Sequence, residues 1–493
     1  MFPGHALMCL NAGGRVRWHD AGMKITSIAS TQAPGSLQFD PGLIRKYDGL
    51  GPRYTSYPTA DRFTEAFTTE HYGNALHARN HSRAVQSLSL YVHLPFCNTI
   101  CYYCACNKVI TKDHGRSAKY VRYVGREIRM VGGMIEGAPP VQQLHWGGGT
   151  PTFLAPEEMT TLMATLRDTF VFDAGAEVSI EVDPRKVDAE TIAFLGTLGF
   201  NRISVGIQDF DPAVQLAVNR VQSEAETRTV IDAARANGFT SVNADLIYGL
   251  PRQTTVGFSA TLDKVIDAAP DRIALYSYAH VPHLFKPQRR ISEAELPSSE
   301  AKLAILALAI EKLGAAGYVY IGMDHFAKPG DELALAQRER KLHRNFQGYS
   351  TKPNCDLLAF GISAIGKVGT AYVQNVKTLD EYYDRLDAHA LPVMRGVELD
   401  ADDVLRGDVI QKLMCDFDLD LGVVDAKHGI RFGEYFTSEL DALVRLAGDG
   451  LVEVTADMIK VTPRGRLLVR NIAMVFDRHL REARERARYS RVI

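Results

Sequence analysis

The segment LYVHLPFCNTICYYCAC, residues 90–106, places four of the seven cysteines of this chain within ten positions. An apolar, β-rich run ends there at Leu94, and a loop with the spacing C-x3-C-x2-C follows. Three thiolates at this spacing can each bind one iron of a [4Fe–4S] cube, which leaves the fourth iron without a protein ligand. Cys97, Cys101 and Cys104 are therefore the predicted ligands of a cluster with one open iron.

Zinc is the main alternative metal for these cysteines, because four-cysteine zinc sites are common. Structural zinc usually takes two separated cysteine pairs, however, and the chain has no second pair. Buried thiols without a metal are a weaker alternative, since thiols this close together are prone to oxidation. The spacing favours the cluster over both.

Composition and charge limit the class of protein. At about 150 residues per domain, 493 residues correspond to about three domains, and the 46% hydrophobic fraction is typical of a globular protein. A net charge of −2 gives no field toward nucleic acid or anionic lipid, so we expect neither partner. The longest apolar stretch, Leu303 to Ile310, is far short of the roughly twenty residues of a membrane span. With no secretory signal and nothing that demands a partner chain, we expect a cytoplasmic monomer.

Short β-rich runs alternate with helical stretches from residue 88 to about 325, which predicts β/α units around a parallel sheet. Six units are predicted, so the fold class is α/β, a partial (β/α)6 barrel of the TIM type. The predicted strands are 88–94, 142–147, 177–183, 202–208, 241–248 and 272–279, with a candidate seventh at 318–322. The predicted helices are 117–135, 156–170, 188–198, 223–237, 254–268 and 299–316.

Polar and glycine residues gather where these strands are predicted to end. They are Gly147 to Thr150, Glu181, Asp183, Gln208, Asp209, Asp245 and Tyr278 to His280. The carboxyl ends of the strands form the active face of a β/α barrel, so these residues predict a site beside the cysteine loop. Helix capping is the alternative role for Asp183 and Asp209.

Segments on both sides of the barrel are predicted to cover it. Residues 1–41 are expected to be a flexible extension, and 42–87 an arm over the active site. Residues 326–394 are expected to extend the barrel and to connect it, through a helix at 378–388, to the C-terminal domain. The small residues at 361–366 are expected to close over the barrel mouth.

The predicted C-terminal domain, residues 395–493, is mostly helical and winged-helix-like, because helices near 400–416 and 433–448 precede a hairpin over 451–462. Its acidic residues argue against DNA binding and favour a lid or packing domain: Asp416, Asp418, Asp420 and Asp425. The basic stretch 478–491 is expected to be a solvated helix face.

The cysteine spacing, with an aromatic Tyr103 before the third cysteine and a strand before the loop, resembles the radical S-adenosylmethionine (SAM) superfamily. The resemblance implies that SAM binds the open iron and is cleaved to a 5′-deoxyadenosyl radical that abstracts hydrogen. The segment WGGGTPT, residues 146–152, lacks the spacing of a phosphate-binding loop. Its glycines would allow the backbone to approach the methionine end of SAM closely. The alternative is a tight turn that binds no ligand.

A closer resemblance rests on KYDGLGPRYTSYP (46–58), WGGGTP (146–151), Asn219–Arg220, DLIYGLP (245–251) and Tyr278–His280. From about residue 42 onward the chain resembles the oxygen-independent coproporphyrinogen III oxidase family. The resemblance implies decarboxylation of two propionates of coproporphyrinogen III to vinyl groups, giving protoporphyrinogen IX in haem synthesis. It also implies a reductant or electron-donor protein, which the sequence does not identify. The alternatives are a haem-binding chaperone of the same fold and a radical SAM enzyme acting on another tetrapyrrole or on nucleic acid.

The resemblance assigns residues to two SAM sites. The first takes Tyr91, Gly148, Glu181 and Ile365, and the second takes Tyr103, Gly149, Thr150, Gln208, Arg220, Asp245 and Ala279. The carboxylates suit these roles, since Glu181 can accept hydrogen bonds from an amine and Asp245 from ribose hydroxyls or an amine. The alternatives are a surface ion pair for Arg220 and a core position for Tyr91.

Cys106, His93 and Tyr91 are the candidate catalytic residues. Cys106 favours the oxidase, because the related chaperone-like branch has no cysteine there. His93 and Tyr91 share one strand face toward the cluster loop, although a core histidine is an alternative. Arg53, Tyr54 and Tyr57 of the arm are the candidate substrate residues, and Arg53 could pair bidentately with a propionate; an ordinary surface arginine is the alternative.

Overall fold

The computed structural model describes residues 37–82, 86–353 and 355–482. Most of the predicted extension 1–41 and the basic residues after 482 therefore lie outside the described residues. The arm contains α1 (Pro41–Tyr47) and α2 (Thr69–Asn80). Asp40 caps α1 by accepting hydrogen bonds from the backbone N–H groups of Gly42 and Leu43, and Pro41 suits the first helical position.

Six parallel strands form the centre of the fold, each hydrogen-bonded to the next along the chain. They are β1 (Ser87–Leu94), β2 (Val141–Gly148), β3 (Phe172–Val182), β4 (Arg202–Gln208), β5 (Ser241–Tyr248) and β6 (Arg272–Ser277). The helices of this region are α3 (Gly115–Gly132), α4 (Pro156–Thr169), α5 (Ala189–Thr197), α6 (Pro212–Ala217), α7 (Glu224–Ala236), α8 (Thr255–Ala268) and α9 (Ser299–Ala315). The predicted α/β class and the six successive parallel strands are confirmed.

The two faces of these strands differ in polarity. Leu88, Leu90 and Val92 of β1 belong to the main hydrophobic core and are 0% exposed, and each such side chain contributes about 1.5–3 kcal/mol to stability. On the other face, hydrogen bonds cross from strand to strand: Ser89 to Gln143, Gln143 to Glu177, His145 to Ser179, and Ser204 to Asp245. Parallel sheets are usually apolar on both faces, so this polar lining marks the barrel interior as a site.

The sheet continues beyond the six strands on both sides. After β6 comes an antiparallel hairpin of β7 (Val319–Gly322) and β8 (His325–Ala327). The strand predicted at 318–322 therefore exists, but it lies at the outer edge of the sheet and does not extend the parallel series. The segment after it contains α10 (Glu332–Arg338) and a hairpin of β9 (His343–Asn345) and β10 (Gly348–Ser350).

The seventh parallel strand is β11 (Cys355–Phe360), which pairs with β1. The antiparallel strands β12 (Ile365–Val368), β13 (Ala371–Asn375) and β14 (Val393–Glu398) follow, with α11 (Leu379–Asp387) between the last two. The turn after β11 is tied to α3, because the Gly361 N–H donates to the Glu127 carboxylate at 2.8 Å. It lies beside His93 at the rim, and only part of 361–366 is a turn because Ile365 begins β12.

The C-terminal region combines helices with a small sheet. It contains α12 (Ala401–Asp416), β15 (Asp418–Asp420), α13 (Leu421–His428), α14 (Phe432–Tyr435), α15 (Thr437–Gly448), β16 (Val452–Val454), β17 (Met458–Val461), α16 (Val469–Ala473) and α17 (Arg478–Glu482). The predicted hairpin is present, and β15 adds an unpredicted third strand.

Among the described residues of the basic stretch 478–491, the expectation of a solvated face is wrong for Arg478 and holds for Arg481, whose side chains are 24% and 41% exposed. Arg478 pairs with Asp400 and Asp402 at the start of α12, because these carboxylates attract its guanidinium group. Arg481 pairs with the buried Glu439 of α15.

Candidate active site

The cysteine loop leaves β1 and lies against the carboxyl ends of the strands. Its ends are closed by a short parallel pairing of Phe96–Cys97 with Val109–Ile110. The N–H of Tyr102 donates to the Val218 carbonyl at 3.0 Å, which holds the loop against the segment after α6. Cys97, Cys101 and Cys104 are half-buried, whereas Cys106 is exposed.

Hydrogen-bond donors surround the sulfur atoms of this loop. Arg220 Nη1 lies 3.6 Å and Arg185 Nη2 3.8 Å from Cys101 Sγ, and Thr150 Oγ1 lies 3.5 Å from Cys97 Sγ. Cations and donors directed at thiolates fit an anionic iron–sulfur cluster, because such contacts stabilise its charge and tune its potential. Within the described ranges, no three Cys, His, Asp or Glu side chains are gathered to hold a metal ion, so the ligand assignment rests on the spacing and these donors.

The glycine loop is shaped by its own neighbours. Gly148 has φ +113°, and a Cβ on it would lie 2.4 Å from Cε1 of His93. A Cβ on Gly149 would lie 2.6 Å from the carbonyl carbon of Pro95. The N–H groups of Gly148 and Gly149 donate to Glu181 and to the Leu94 carbonyl. Close packing against the end of β1 therefore explains why glycine is needed at positions 148 and 149. Because their N–H groups are already hydrogen-bonded, only their carbonyl groups could contact a ligand.

Tyr91 and His93 form a hydrogen-bonded pair on the inner face of β1. His93 Nε2 lies 2.9 Å from the Asn107 carbonyl, which can only accept, so Nε2 carries the proton. Burial lowers the pKa of His93 and keeps the ring neutral, so Nδ1 accepts the hydroxyl of Tyr91 at 3.0 Å. The ring of Tyr91 also stacks on His145 at a 5.9 Å centroid distance. The two residues share one face beside the loop, as predicted.

Two carboxylates from neighbouring strands point into the interior. Burial opposes the charge of Glu181, but hydrogen bonds from His145 at 3.3 Å and from the Gly148 N–H at 3.1 Å outweigh burial and lower its pKa. Burial raises the pKa of Asp245 to about 6, although it accepts from Ser204 and Asn243, both at 2.8 Å. Both are accessible acceptors in a polar interior.

Arg220 is buried at 7% exposure, so the surface ion-pair alternative is wrong. It donates to the Gly206 carbonyl at 2.7 Å and contacts Asp183 at 3.4 Å. Asp183 also caps the turn Pro184–Lys186, which is the alternative role considered for it. Asp209 instead accepts from Thr261 at 2.5 Å and is a buried structural residue.

The remaining predicted SAM residues lie around the same rim. Gln288 Nε2 donates to the carbonyls of Tyr103 at 3.1 Å and Ala279 at 3.2 Å, which brings these two positions together. Gln208 adopts φ +67° at the end of β4, where its amide approaches Gly206. Ile365 begins β12, two strands from Tyr91 across β11.

A cavity of about 930 Å³ opens beside the carboxyl ends of β5 and β6. It touches Ala105 of the cysteine loop and Ala279, and Arg53 of the arm lines it. Tyr54 and Tyr57 do not line this cavity. Their side chains are buried against the C-terminal segment, where Tyr54 donates to Asp477 at 2.9 Å and Tyr57 accepts from the Arg478 N–H at 3.1 Å.

The substrate role predicted for Tyr54 and Tyr57 is therefore wrong. Each is held by a hydrogen bond from or to residues 477–478, and burial keeps both rings in the core. Arg53 alone of the three faces the cavity, where it pairs with Asp324.

Comparisons with known proteins match this architecture along nearly the whole chain. The radical SAM superfamily model matches residues 91–265, and the HemN C-terminal domain model matches 399–468. The oxygen-independent coproporphyrinogen III oxidase of Pseudomonas aeruginosa is 50% identical over 461 residues, covering 93% of this chain and 99% of the relative. The Escherichia coli K12 relative of the same name is 47% identical over 457 residues, covering 93% and 99%.

A solved structure of the same oxidase is also similar to this chain in three dimensions. It is described as "Coproporphyrinogen III oxidase (HemN) from Escherichia coli is a Radical SAM enzyme", and it matches at a TM-score of 0.86 and 46% identity over 90% of this chain and 100% of the other. The chain belongs to the oxygen-independent coproporphyrinogen III oxidase family. No helix among the described residues is long and apolar enough to span a membrane.

Several residues near this site are not indicated by any pattern in the sequence. They are Asn107, His145, Arg185, Tyr276, Asp324 and Arg344. His145 could have been found, because Gln143 and His145 alternate with apolar residues along β2 and so face the interior. The others act through long-range contacts that no local pattern reveals.

Proposed function

We propose that this chain decarboxylates two propionates of coproporphyrinogen III to vinyl groups without oxygen, giving protoporphyrinogen IX. The observation that carries the proposal is 50% identity over 93% of the chain to a protein named for this oxidase reaction, with all four cysteines of the loop present. In this proposal Cys97, Cys101 and Cys104 hold a [4Fe–4S] cluster, and two SAM molecules bind beside it. When bound, the cluster and SAM supply the electron and the 5′-deoxyadenosyl radical that removes hydrogen from a propionate side chain.

The residues of this chain bind and orient these groups in the proposal. Glu181 and Asp245 accept hydrogen bonds from amine or hydroxyl donors of SAM, and Arg220 balances negative charge beside Cys101. Tyr91 and His93 hold the end of β1 beside Gly148. The ring of His93 keeps a single orientation, because one nitrogen is hydrogen-bonded to Tyr91 and the other to the Asn107 carbonyl. Cys106 is proposed to meet the substrate or its hydrogen, and its exposure beside the loop supports this role.

The reaction needs an external electron path. Making each 5′-deoxyadenosyl radical from SAM consumes one electron, so a reductant protein is required. Each decarboxylation removes one hydrogen atom and one CO2 from the substrate and leaves one electron there, so a final acceptor is also required. We propose that the enzyme works in the cytoplasm as a monomer, with coproporphyrinogen III and this reductant as its partners.

The test is an anaerobic assay of the reconstituted protein with coproporphyrinogen III, SAM and a reductant, followed by chromatography of porphyrins and 5′-deoxyadenosine. We expect protoporphyrinogen IX and about two 5′-deoxyadenosines per substrate, because each decarboxylation removes one hydrogen atom. Cys101→Ser should abolish both products, because it removes a cluster ligand.

Cys355→Ser is the matched control, because this half-buried cysteine begins β11 at the opposite end of β1 and should leave turnover unchanged. Cleavage of SAM with unchanged coproporphyrinogen would contradict the substrate. Tight haem binding without turnover would favour the chaperone alternative.

A further inference from the structure

Two surface segments are attached to the cysteine loop. The first follows α6, where Asn219 is exposed and its Nδ2 donates to the Ile100 carbonyl at 2.7 Å. The second precedes α9, where Gln288 Nε2 donates to the Tyr103 carbonyl at 3.1 Å. Both segments therefore contact the loop that carries the predicted cluster ligands.

A small hydrophobic cluster, separate from the main core, packs the loop against both segments. It contains Val218 of the first segment and Ile291, directly after the second, and the rings of Tyr102 and Tyr103 pack against it. Side chains packed at the density of a protein interior leave little room for relative movement. The cysteine loop is therefore held in a fixed position beside these two surface segments.

The second segment carries three exposed cations, which are Lys286, Arg289 and Arg290. In the part of the chain that the structure describes, none of the three forms an ion pair. Arg289 donates to the Pro282 carbonyl at 3.0 Å, and the guanidinium group of Arg290 lies 5.3 Å from the centre of the Tyr102 ring. Uncompensated positive charge therefore lies directly over a residue of the cysteine loop.

The acids that follow this segment are engaged by other residues. Glu295 pairs with Arg252 at 2.6 Å, and Glu293 Oε1 lies 3.4 Å from Nε2 of His280. The three cations are thus left to face solvent. A surface with an excess of one sign of charge attracts and orients a protein partner of the opposite sign.

Exposed apolar side chains accompany these charges. Leu284 of the second segment is 48% exposed, and Val221 of the first is 60% exposed. Val221 directly follows Arg220, whose Nη1 lies 3.6 Å from Cys101 Sγ. Apolar side chains next to arginines are typical of protein interfaces. This surface therefore lies within one residue of a side chain that contacts a predicted cluster ligand.

These residues define a docking surface, which consists of Val221, Leu284, Lys286, Arg289 and Arg290. We propose that the docking surface binds an acidic one-electron carrier protein. The inference rests on the proposed function, in which each cleavage of SAM consumes one electron from a reductant protein. The carrier loses one electron to the cluster, so each SAM molecule cleaved oxidises one carrier molecule by one electron. Attachment of both segments to the cysteine loop keeps the carrier close to the cluster ligands.

The test measures binding of a purified bacterial flavodoxin, a small acidic flavin protein, to the reconstituted full-length protein by isothermal titration calorimetry. The double variant Arg289→Glu, Arg290→Glu should raise the Kd at least about tenfold, because two attractive charges become repulsive. Arg338→Glu is the matched control and should leave the Kd unchanged, since Arg338 is also exposed and also donates to a backbone carbonyl. Raising KCl from about 50 to 300 mM should weaken binding to wild type, because salt screens exposed charges.

Formation of 5′-deoxyadenosine separates docking from the chemistry at the cluster. With reduced flavodoxin, the double variant should show a KM for the carrier at least about tenfold higher than that of wild type. With dithionite, a small reductant that needs no docking surface, both proteins should react at the same rate. Loss of the dithionite-driven rate in the double variant would show that these arginines support the cluster site itself, and would overturn the docking role.

An unchanged Kd in the double variant would overturn the docking surface, as would a wild type that accepts electrons from dithionite but neither binds flavodoxin nor is reduced by it. Failure of the proposed function has a different result. If wild type binds flavodoxin and cleaves SAM but consumes no coproporphyrinogen III, the substrate is wrong and the docking surface stands.

Discussion

Glu127 shows how one buried side chain supports the rim of the site. It accepts hydrogen bonds from the Gly361 N–H at 2.8 Å, from Asn375 at 2.6 Å and from Tyr382 at 2.6 Å. Tyr120, about two turns earlier on α3, donates to the His93 carbonyl at 2.8 Å. The helix thus holds both the turn after β11 and the carboxyl end of β1.

The charge of Glu127 makes stability depend on pH. Burial raises its pKa to about 7 from an ordinary value near 4.5. The folded protein then binds more protons than the unfolded chain between these values, so this residue's contribution is present below about pH 4.5 and is lost as pH rises through 7. The loss amounts to about 3 kcal/mol at 1.36 kcal/mol per pKa unit. Glu127→Gln should remove this slope in thermal unfolding between about pH 4.5 and 7.

The control for this experiment is Glu136→Gln, which removes an exposed acid just after α3 and should keep the wild-type slope. An unchanged slope in Glu127→Gln would show that another group titrates in this window. A lower stability at every pH with no change in slope would assign Glu127 a role in hydrogen bonding alone.

Residue-level prediction from sequence succeeded where chemistry is local. The cysteine spacing, Glu181 and Asp245 all follow from strand ends and motif spacing, and the structure gathers them around the barrel interior. Tyr54 and Tyr57 were misassigned, because a tyrosine next to a cavity-lining arginine can equally pack in the core, and their partners lie more than 400 residues away.

At the scale of elements, the link between α12 and α17 secures the arm. Arg478 contacts Asp400, Asp402 and Asp403 at 2.6 to 3.0 Å, and the adjacent Asp477 holds Tyr54 of the arm. Residues 477–478 thus form one of several links between the arm and the C-terminal region, another being the contact of Arg470 with the carbonyls of Gly51 and Pro52. Loosening that segment should loosen the wall of the cavity.

Arg478→Ala should lower stability by about 1–3 kcal/mol, because three neighbouring carboxylates lose their shared cation. Amide hydrogen exchange should rise in residues 47–58 and 470–482. Arg431→Ala is the control, since its pair with Glu434 is exposed and such pairs contribute little. Faster exchange in α17 without any change in the arm would refute the coupling between them.

The sequence predicted the six parallel strands well because a helix separates each strand from the next, which is the pattern that β/α units produce. The prediction failed at β11, because the described residues before it, 328–353, contain a short helix and a hairpin that fit no β/α period. That connection closes the amino-terminal end of the barrel, through Ser350 to Gln143 at 2.9 Å and Thr351 to Glu177. The position of β11 in the sheet follows only from its pairing with β1 in the structure.

At the scale of the whole molecule, the chain has little net charge for the long-range attraction of an anion. The net charge is −2, while Arg53 and Asp324 pair in the wall of the cavity. Salt screens exposed charges over about 10 Å at 0.1 M but affects enclosed pairs much less. Substrate recognition should therefore depend on local contacts more than on long-range attraction.

We accordingly expect the KM for coproporphyrinogen III to rise less than about threefold between about 50 and 300 mM KCl, because a protein of small net charge offers little steering to screen. Anaerobic initial rates at constant SAM measure this directly, and the same series with Arg53→Met separates the cavity from the surface. A rise of tenfold or more in wild type would place substrate capture on exposed lysines and arginines instead. In Arg53→Met, a higher KM with the same shallow salt dependence would show that the lost contact is the enclosed one.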